Sequence, residues 1–259
     1  MAADWIVPDW PAPAGVRALC TTRQGGVSLP PYDSLNLGDH VGDDAGAVAR
    51  NRGVLEAAIG ARPVFLQQVH GGAVVRLNVA TADGTQADGC VVTRPGIACT
   101  IMVADCLPVL FTDGEGRAVA AAHAGWRGLA GAGGVGVLEA TAGALWETLT
   151  TPRAAGASKT IAWLGPCIGP TAFEVGDEVR QAFVSQHAQA AAMFQPYGQG
   201  KWLADLPGLA RLRLAALGIR RVHGNDGSAA WCTVGNPSRF FSHRRDRASG
   251  RLAACVWLG

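Results

Sequence analysis

The sequence predicts an α+β fold in one domain spanning residues 1–259, on three observations. Apolar runs of strand length outnumber helical segments. The stretch from Val64 to Ala122 is nearly all strand and turn, and strands and helices do not alternate as regular βαβ units would. A doubly wound parallel sheet is therefore not expected.

In chain order, β-branched and aromatic runs predict strands at Val16 to Thr22, Val64 to Val69, Val74 to Val79, Ile97 to Val103, Val109 to Thr112, Ala118 to Ala122, Ile161 to Leu164 and Leu252 to Leu258. Apolar residues at helical spacing predict helices over Ala47 to Ile59, Val135 to Leu149, Asp177 to Ala192 and Leu206 to Leu217, the last stopped by Gly218. The Pro/Ala/Gly-rich stretch from Thr151 to Ser158 reads as a soft linker, too short to divide the chain into domains.

With 49% hydrophobic and 16% charged residues, the chain has the apolar surface for a large core. Its net charge is +2, and the only dense positive run is Arg244, Arg245, Arg247 and Arg251, so nucleic acid is not a favoured partner. No segment approaches the roughly 20 apolar residues of a membrane span, and no cationic stretch leads into an apolar one at the start. No membrane association and a cytoplasmic location are expected. The seven cysteines contain no CxxC pair and read as reduced, mostly core thiols; Cys167 is given a packing role.

Three segments set a metal-ligating side chain among turn residues at a strand end: Gln67-Gln68-Val69-His70-Gly71, Ala104-Asp105-Cys106-Leu107-Pro108, and Ala121-Ala122-His123-Ala124-Gly125-Trp126-Arg127-Gly128. One thiolate and two imidazoles suit zinc, and three protein ligands leave a fourth position open for chemistry. The separations of 36 and 17 residues fit no zinc-finger pattern, so spacing alone also suits ordinary strand-end histidines and a core thiol. The run Gly131-Ala132-Gly133-Gly134-Val135-Gly136 spells G-x-G-x-x-G, but no strand leads directly into it and no βαβ context follows. It is read as glycines that let a helix start close to the site.

Thr21-Thr22-Arg23-Gln24-Gly25-Gly26-Val27-Ser28, Leu35-Asn36-Leu37-Gly38-Asp39-His40-Val41-Gly42-Asp43-Asp44, the three ligand segments, Leu164-Gly165-Pro166-Cys167-Ile168-Gly169 and Phe240-Phe241-Ser242-His243-Arg244-Arg245-Asp246 follow in order along nearly the whole chain. Together they resemble the laccase-domain (YfiH-like) family, the purine nucleoside phosphorylases formerly called multicopper polyphenol oxidases. The resemblance implies a single-domain α/β/β/α sandwich with mixed sheets and one zinc held by His70, Cys106 and His123. It also implies phosphorolysis of adenosine, inosine, guanosine and methylthioadenosine, together with adenosine deamination.

For those reactions Asp105 is the candidate proton shuttle, and Arg23, Asn36, Arg127 and Arg244 or Arg245 the candidate substrate and phosphate contacts. The partners expected are purine nucleosides and phosphate; oligomeric state is left open. Six histidines without any His-x-His pair cannot house four coppers, so copper is expected only as an adventitious substitute for zinc. Two alternatives remain: a metal-independent cysteine hydrolase or amidase using Cys106 and His123, and a copper-dependent polyphenol oxidase.

Overall fold

In the computed structural model, which describes residues 4–259, two β-sheets pack face to face with helices on both outer sides. The four-stranded sheet has the order β1 (Val16–Cys20), β13 (Leu252–Leu258), β5 (Ile97–Val103), β2 (Arg62–Phe65). β13 runs antiparallel to both neighbours, and β2 joins β5 in parallel. The six-stranded sheet has the order β12 (Arg221–Gly224), β8 (Ile161–Leu164), β6 (Leu107–Thr112), β7 (Val119–Ala124), β4 (Gly89–Val92), β3 (Val74–Arg76). Its two outer pairs are parallel and the pairs between them antiparallel.

The two-residue period of a strand decides which side chain enters which layer. Along β13, Leu252, Ala254, Val256 and Leu258 face the core between the sheets, whereas Ala253, Cys255 and Trp257 face outward beneath Leu55 and Ile59 of α1 (Ala45–Ile59). Both faces are covered, so the strand is apolar throughout rather than alternating. Each such Leu or Val contributes roughly 1.5–3 kcal/mol by leaving water. The far side of the six-stranded sheet is covered by α3 (Val137–Thr148), α4 (Arg153–Lys159), α5 (Asp177–Val184) and α6 (Leu206–Ala216). The layers are those of an α/β/β/α sandwich.

Several elements depart from the sequence expectation. The expected linker at 151–158 is largely α4: Pro152 stands at its N-cap with φ −56°, and the alanines that follow are strong helix formers. The helix expected over Asp177 to Ala192 is α5 followed by a separate 3-10 segment, Ala188–Met193. Strand β4 was not expected, nor was the small sheet of β9 (Glu174–Gly176), β10 (Phe194–Pro196) and β11 (Lys201–Ala204). Two short helices, α2 (Trp126–Ala130) and α7 (His243–Asp246), flank the site.

The Gly131–Gly136 run is a tight turn between α2 and α3, with Gly131, Gly133 and Gly134 at positive φ. The buried Arg213 clamps it, donating to the Gly134 carbonyl at 2.9 Å and to Glu139 Oε1 at 2.8 Å, while Glu139 Oε2 accepts from Gly136 N–H at 2.9 Å. No strand leads into this run, so the nucleotide-binding fingerprint is absent in structure as well as in context.

Candidate metal centre

Tertiary folding brings together the three ligand segments that sequence spacing could not join. His70 lies in the loop between β2 and β3, Cys106 immediately precedes β6, and His123 sits on β7, which pairs with β6. Gln68 ties the first loop to β5, donating to the Met102 carbonyl at 2.7 Å and accepting from Met102 N–H at 2.8 Å. The ligand atoms of His70, Cys106 and His123 all lie within 4.8 Å of one another, the only such group of three or more among the described residues.

Asp88, fully buried just before β4, organises the site and was not anticipated from sequence. Its Oδ1 accepts from His70 N–H and faces His123 Nδ1, both at 2.9 Å; its Oδ2 accepts from Gly71 N–H at 2.7 Å and Val69 N–H at 3.2 Å. Its carbonyl accepts from His123 N–H at 2.7 Å. One carboxylate therefore fixes the loop carrying one ligand and the ring of another, leaving His123 Nε2 to face Cys106. Burial opposes the Asp88 charge, but hydrogen bonds from His123, Gly71 and Val69 and the His123 charge hold its carboxyl below the usual range.

The donor set fits a metal ion. A tetrahedral zinc, with Zn–S about 2.3 Å and Zn–N about 2.0–2.1 Å, holds such ligand atoms about 3.3–3.6 Å apart. Cys106 Sγ and His70 Nε2 are 3.7 Å apart, and the two imidazoles meet edge to face at 4.7 Å between ring centroids. Burial works against ionising Cys106, yet the charge of His123 and hydrogen bonds from both histidines bring its thiol down to about 6. His123 shows the mirror effect: burial lowers its pKa, but the Cys106 charge and Asp88 raise it to about 9. A thiolate available at neutral pH is what a soft cation requires. Gly125 packs directly on the donors, since a Cβ there would lie 2.7 Å from His70 Cδ2 and 3.1 Å from Cys106 Sγ.

The donors open into a cavity of about 890 Å³. Trp126, Ile168, Phe173 and Leu206 give it apolar wall, and Arg127 and Arg244 line it too, stacked over Trp126 and Phe173 at 4.4 and 5.6 Å from the ring centroids. Asp105 also lines it, but its two carboxylate oxygens are committed at 2.6 Å to Thr233 Oγ1 and Arg244 N–H. That arrangement clamps the ligand turn to the segment entering α7.

Arg23, Asn36 and Arg245 do not line the cavity. Arg23 is spent on Asp33 and the Pro237 carbonyl, and Arg245 on Asp246 and the Thr233 and Phe240 carbonyls. Asn36 is buried, its side chain bonded to Gly38, Asp43 and Arg251 N–H. Cys167 is buried in the core, as the packing reading expected.

Fold and site together define an α/β/β/α sandwich with one cavity-facing His-Cys-His group able to hold a metal ion. The chain belongs to the laccase-like YfiH family: residues 17–259 match the family described as "Multi-copper polyphenol oxidoreductase laccase". Over 255 residues, covering 98% of both chains, it is 51% identical to the Pseudomonas aeruginosa protein named purine nucleoside phosphorylase PA4543. It is 49% identical, with the same coverage, to purine nucleoside phosphorylase YfiH of Escherichia coli. Among solved structures it resembles Neisseria meningitidis NMB0706, 46% identical with a TM-score of 0.88 over 98% of each chain. It also resembles YlmD of Geobacillus stearothermophilus, 30% identical with a TM-score of 0.85 over 100% of this chain and 97% of that one. Among the described residues no helix is long and apolar enough to cross a membrane.

Proposed function

We propose that this protein is a zinc-dependent purine nucleoside phosphorylase that cleaves adenosine, inosine, guanosine or methylthioadenosine with phosphate and also deaminates adenosine. The observation that carries the reading is the opening of the His70, Cys106 and His123 donors into a cavity whose wall combines apolar rings with cations. Relatives named purine nucleoside phosphorylases that match over nearly the full chain support it.

A nucleoside presents a flat base to desolvate and a sugar to orient, which suits Trp126, Ile168, Phe173 and Leu206 beside Arg127 and Arg244. In phosphorolysis a phosphate oxygen bonds to C1′ as the bond from C1′ to the base breaks, and the departing base takes up the proton that hydrogen phosphate gives up. Zinc held by His70, Cys106 and His123 would supply a Lewis acid beside the bound substrate. Asp88 keeps His123 in one orientation, and Asp105 holds the Cys106 turn.

Incubating metal-replete protein with adenosine and phosphate, and separating adenine, inosine and ribose 1-phosphate, tests the proposal. Absence of all three products would overturn it. The family description names copper, but with one three-ligand donor group among the described residues and six histidines without a His-x-His pair a four-copper arrangement lacks ligands, so copper is read as a substitute occupant of the zinc site.

One observation favours a second reading. Asp88, His123 and Cys106 also form the acid–base–thiol series of a cysteine hydrolase, with the thiol near 6 and the imidazole near 9. Full activity in chelator, abolished by thiol alkylation, would select that reading over zinc.

A further inference from the structure

Three cations that line the cavity, His40, Arg247 and Arg251, are left unused by the reading above. Strand register places the last of them: Leu252 pairs with Val103, so Arg251 stands beside the turn that carries Cys106. Arg251 is firmly built in. Its N–H donates to Asn36 Oδ1 at 2.9 Å, its carbonyl accepts from Leu37 N–H at 3.2 Å, and its Nη1 donates to the Ser249 and Gly250 carbonyls at 2.8 and 3.1 Å. Gly38 lies against its stem so closely that a Cβ there would sit 2.7 Å from Arg251 Cγ. The guanidinium Nε and Nη2 meet no protein acceptor among the described residues.

Arg247 is held differently. Its backbone takes φ 62° and ψ −67°, a conformation L residues rarely adopt, and its side chain makes no hydrogen bond or ion pair in the described protein. Strain at an exposed arginine that bonds to nothing in the protein is the pattern of a group posed for a ligand. Burial, then the Arg251 charge, pull the His40 pKa down despite Asp39; burial also lowers that of Arg251, although the Cys106 and Asp105 charges raise it.

The two carboxylates that line the cavity, Asp39 and Asp105, already have partners. Asp39 pairs with Arg52 at 3.1 Å and reaches His40 at 3.5 Å, while Asp105 is committed to Thr233 and Arg244 N–H. Two guanidinium forks with donors to spare suit a tetrahedral oxyanion.

We propose that Arg247 and Arg251, assisted by His40, form a phosphate-oxyanion subsite beside the Cys106 turn. This differs from the sequence expectation, which looked to Arg23, Arg127 and Arg244 or Arg245. Only the source of the oxyanion rests on the phosphorylase reading: inorganic phosphate as co-substrate, rather than the phosphate of a phosphorylated nucleoside.

Calorimetric titration of the full-length, metal-replete chain tests it, with inorganic phosphate alone in one arm and adenosine 5′-monophosphate in the other. Arg247→Met, whose side chain supports nothing else, and Arg251→Lys are compared with Arg127→Met and with Arg220→Met, an exposed charge outside the cavity. We expect phosphate Kd to rise ~10-fold or more in the first two, the loss of a charged hydrogen bond, and to stay unchanged in Arg220→Met. Phosphate affinity that is unchanged in Arg247→Met and Arg251→Lys, or lost only in Arg127→Met, overturns the subsite. Binding of the monophosphate alone, lost in Arg247→Met, keeps the subsite and refutes free phosphate as its source. Because binding is read without turnover, intact phosphate binding with no phosphorolysis would refute the enzyme reading and leave the subsite standing.

Discussion

Replacing Asp88 with asparagine changes one oxygen to an amide nitrogen without changing size, yet four donors converge on that carboxylate. Whichever way the amide turns, one pair of donors faces an NH₂ group: either His70 N–H and His123 Nδ1, or Val69 and Gly71 N–H. Three of these donors are only part-buried, so each one left without an acceptor costs about 1 kcal/mol, the low end for a lost partner, and the pair about 2 kcal/mol. At about 2–4 °C per kcal/mol for a domain of this size, Tm should fall by at least about 4 °C. Losing the carboxylate behind a metal-ligating histidine typically weakens metal binding about 10–100-fold. Differential scanning fluorimetry gives the first quantity, and zinc titration against a competing chelator gives the second. Asp88→Asn protein with wild-type Tm and zinc affinity within about twofold of wild type would refute the assignment of Asp88 as the organiser of both histidines.

Gly125→Ala should keep the fold, because Gly125 has φ −68° and ψ 157°, but its methyl group would press on His70 and Cys106. Zinc stoichiometry after dialysis should fall well below one while the circular dichroism spectrum is retained. In metal-stripped protein Cys106 should be the thiol alkylated by iodoacetamide, since the other six cysteines are buried. A lowered thiol pKa means the reactive thiolate is present above about 6 and disappears as pH falls through that value, so the rate should be half-maximal near pH 6 and collapse when zinc is restored. Arg213→Met removes the cation beside the half-buried Glu139 and the clamp on the 131–136 turn, a loss of about 1–3 kcal/mol for the broken charged hydrogen bonds; urea denaturation should show it.

The main strands were legible because strands covered on both faces are continuous apolar runs, as in Ile97–Val103 and Leu252–Leu258. Strand β4 was hidden by its own Gly89, which reads as turn beside Asp88. The 151–158 segment was misread because Pro152 and the glycine at 156 were counted as breakers, although proline at a helix start and a short alanine run favour a helix. At the site, the ligand residues carried chemical identity in their side chains and family order in their flanks. Asp88 had neither cue: an aspartate followed by glycine is ordinary in a turn, and only the folded chain shows three N–H groups and an imidazole aimed at it. For the same reason Arg23 and Asn36 were credited with ligand contacts, when their side chains are spent on the backbone of neighbouring loops.

The position of β13 has a consequence for biosynthesis. Leu252–Leu258 is an inner strand of its sheet, seated between β1 and β5, yet it follows every other strand in the sequence. A chain growing on the ribosome therefore exposes His70, Cys106 and His123 long before the strand that completes the four-stranded sheet arrives. Until residue 252 and its successors are made, β1 and β5 offer open edges to any passing strand. Nascent chains stalled before that point would present metal-binding side chains on an unfinished scaffold, a clear client for a holdase.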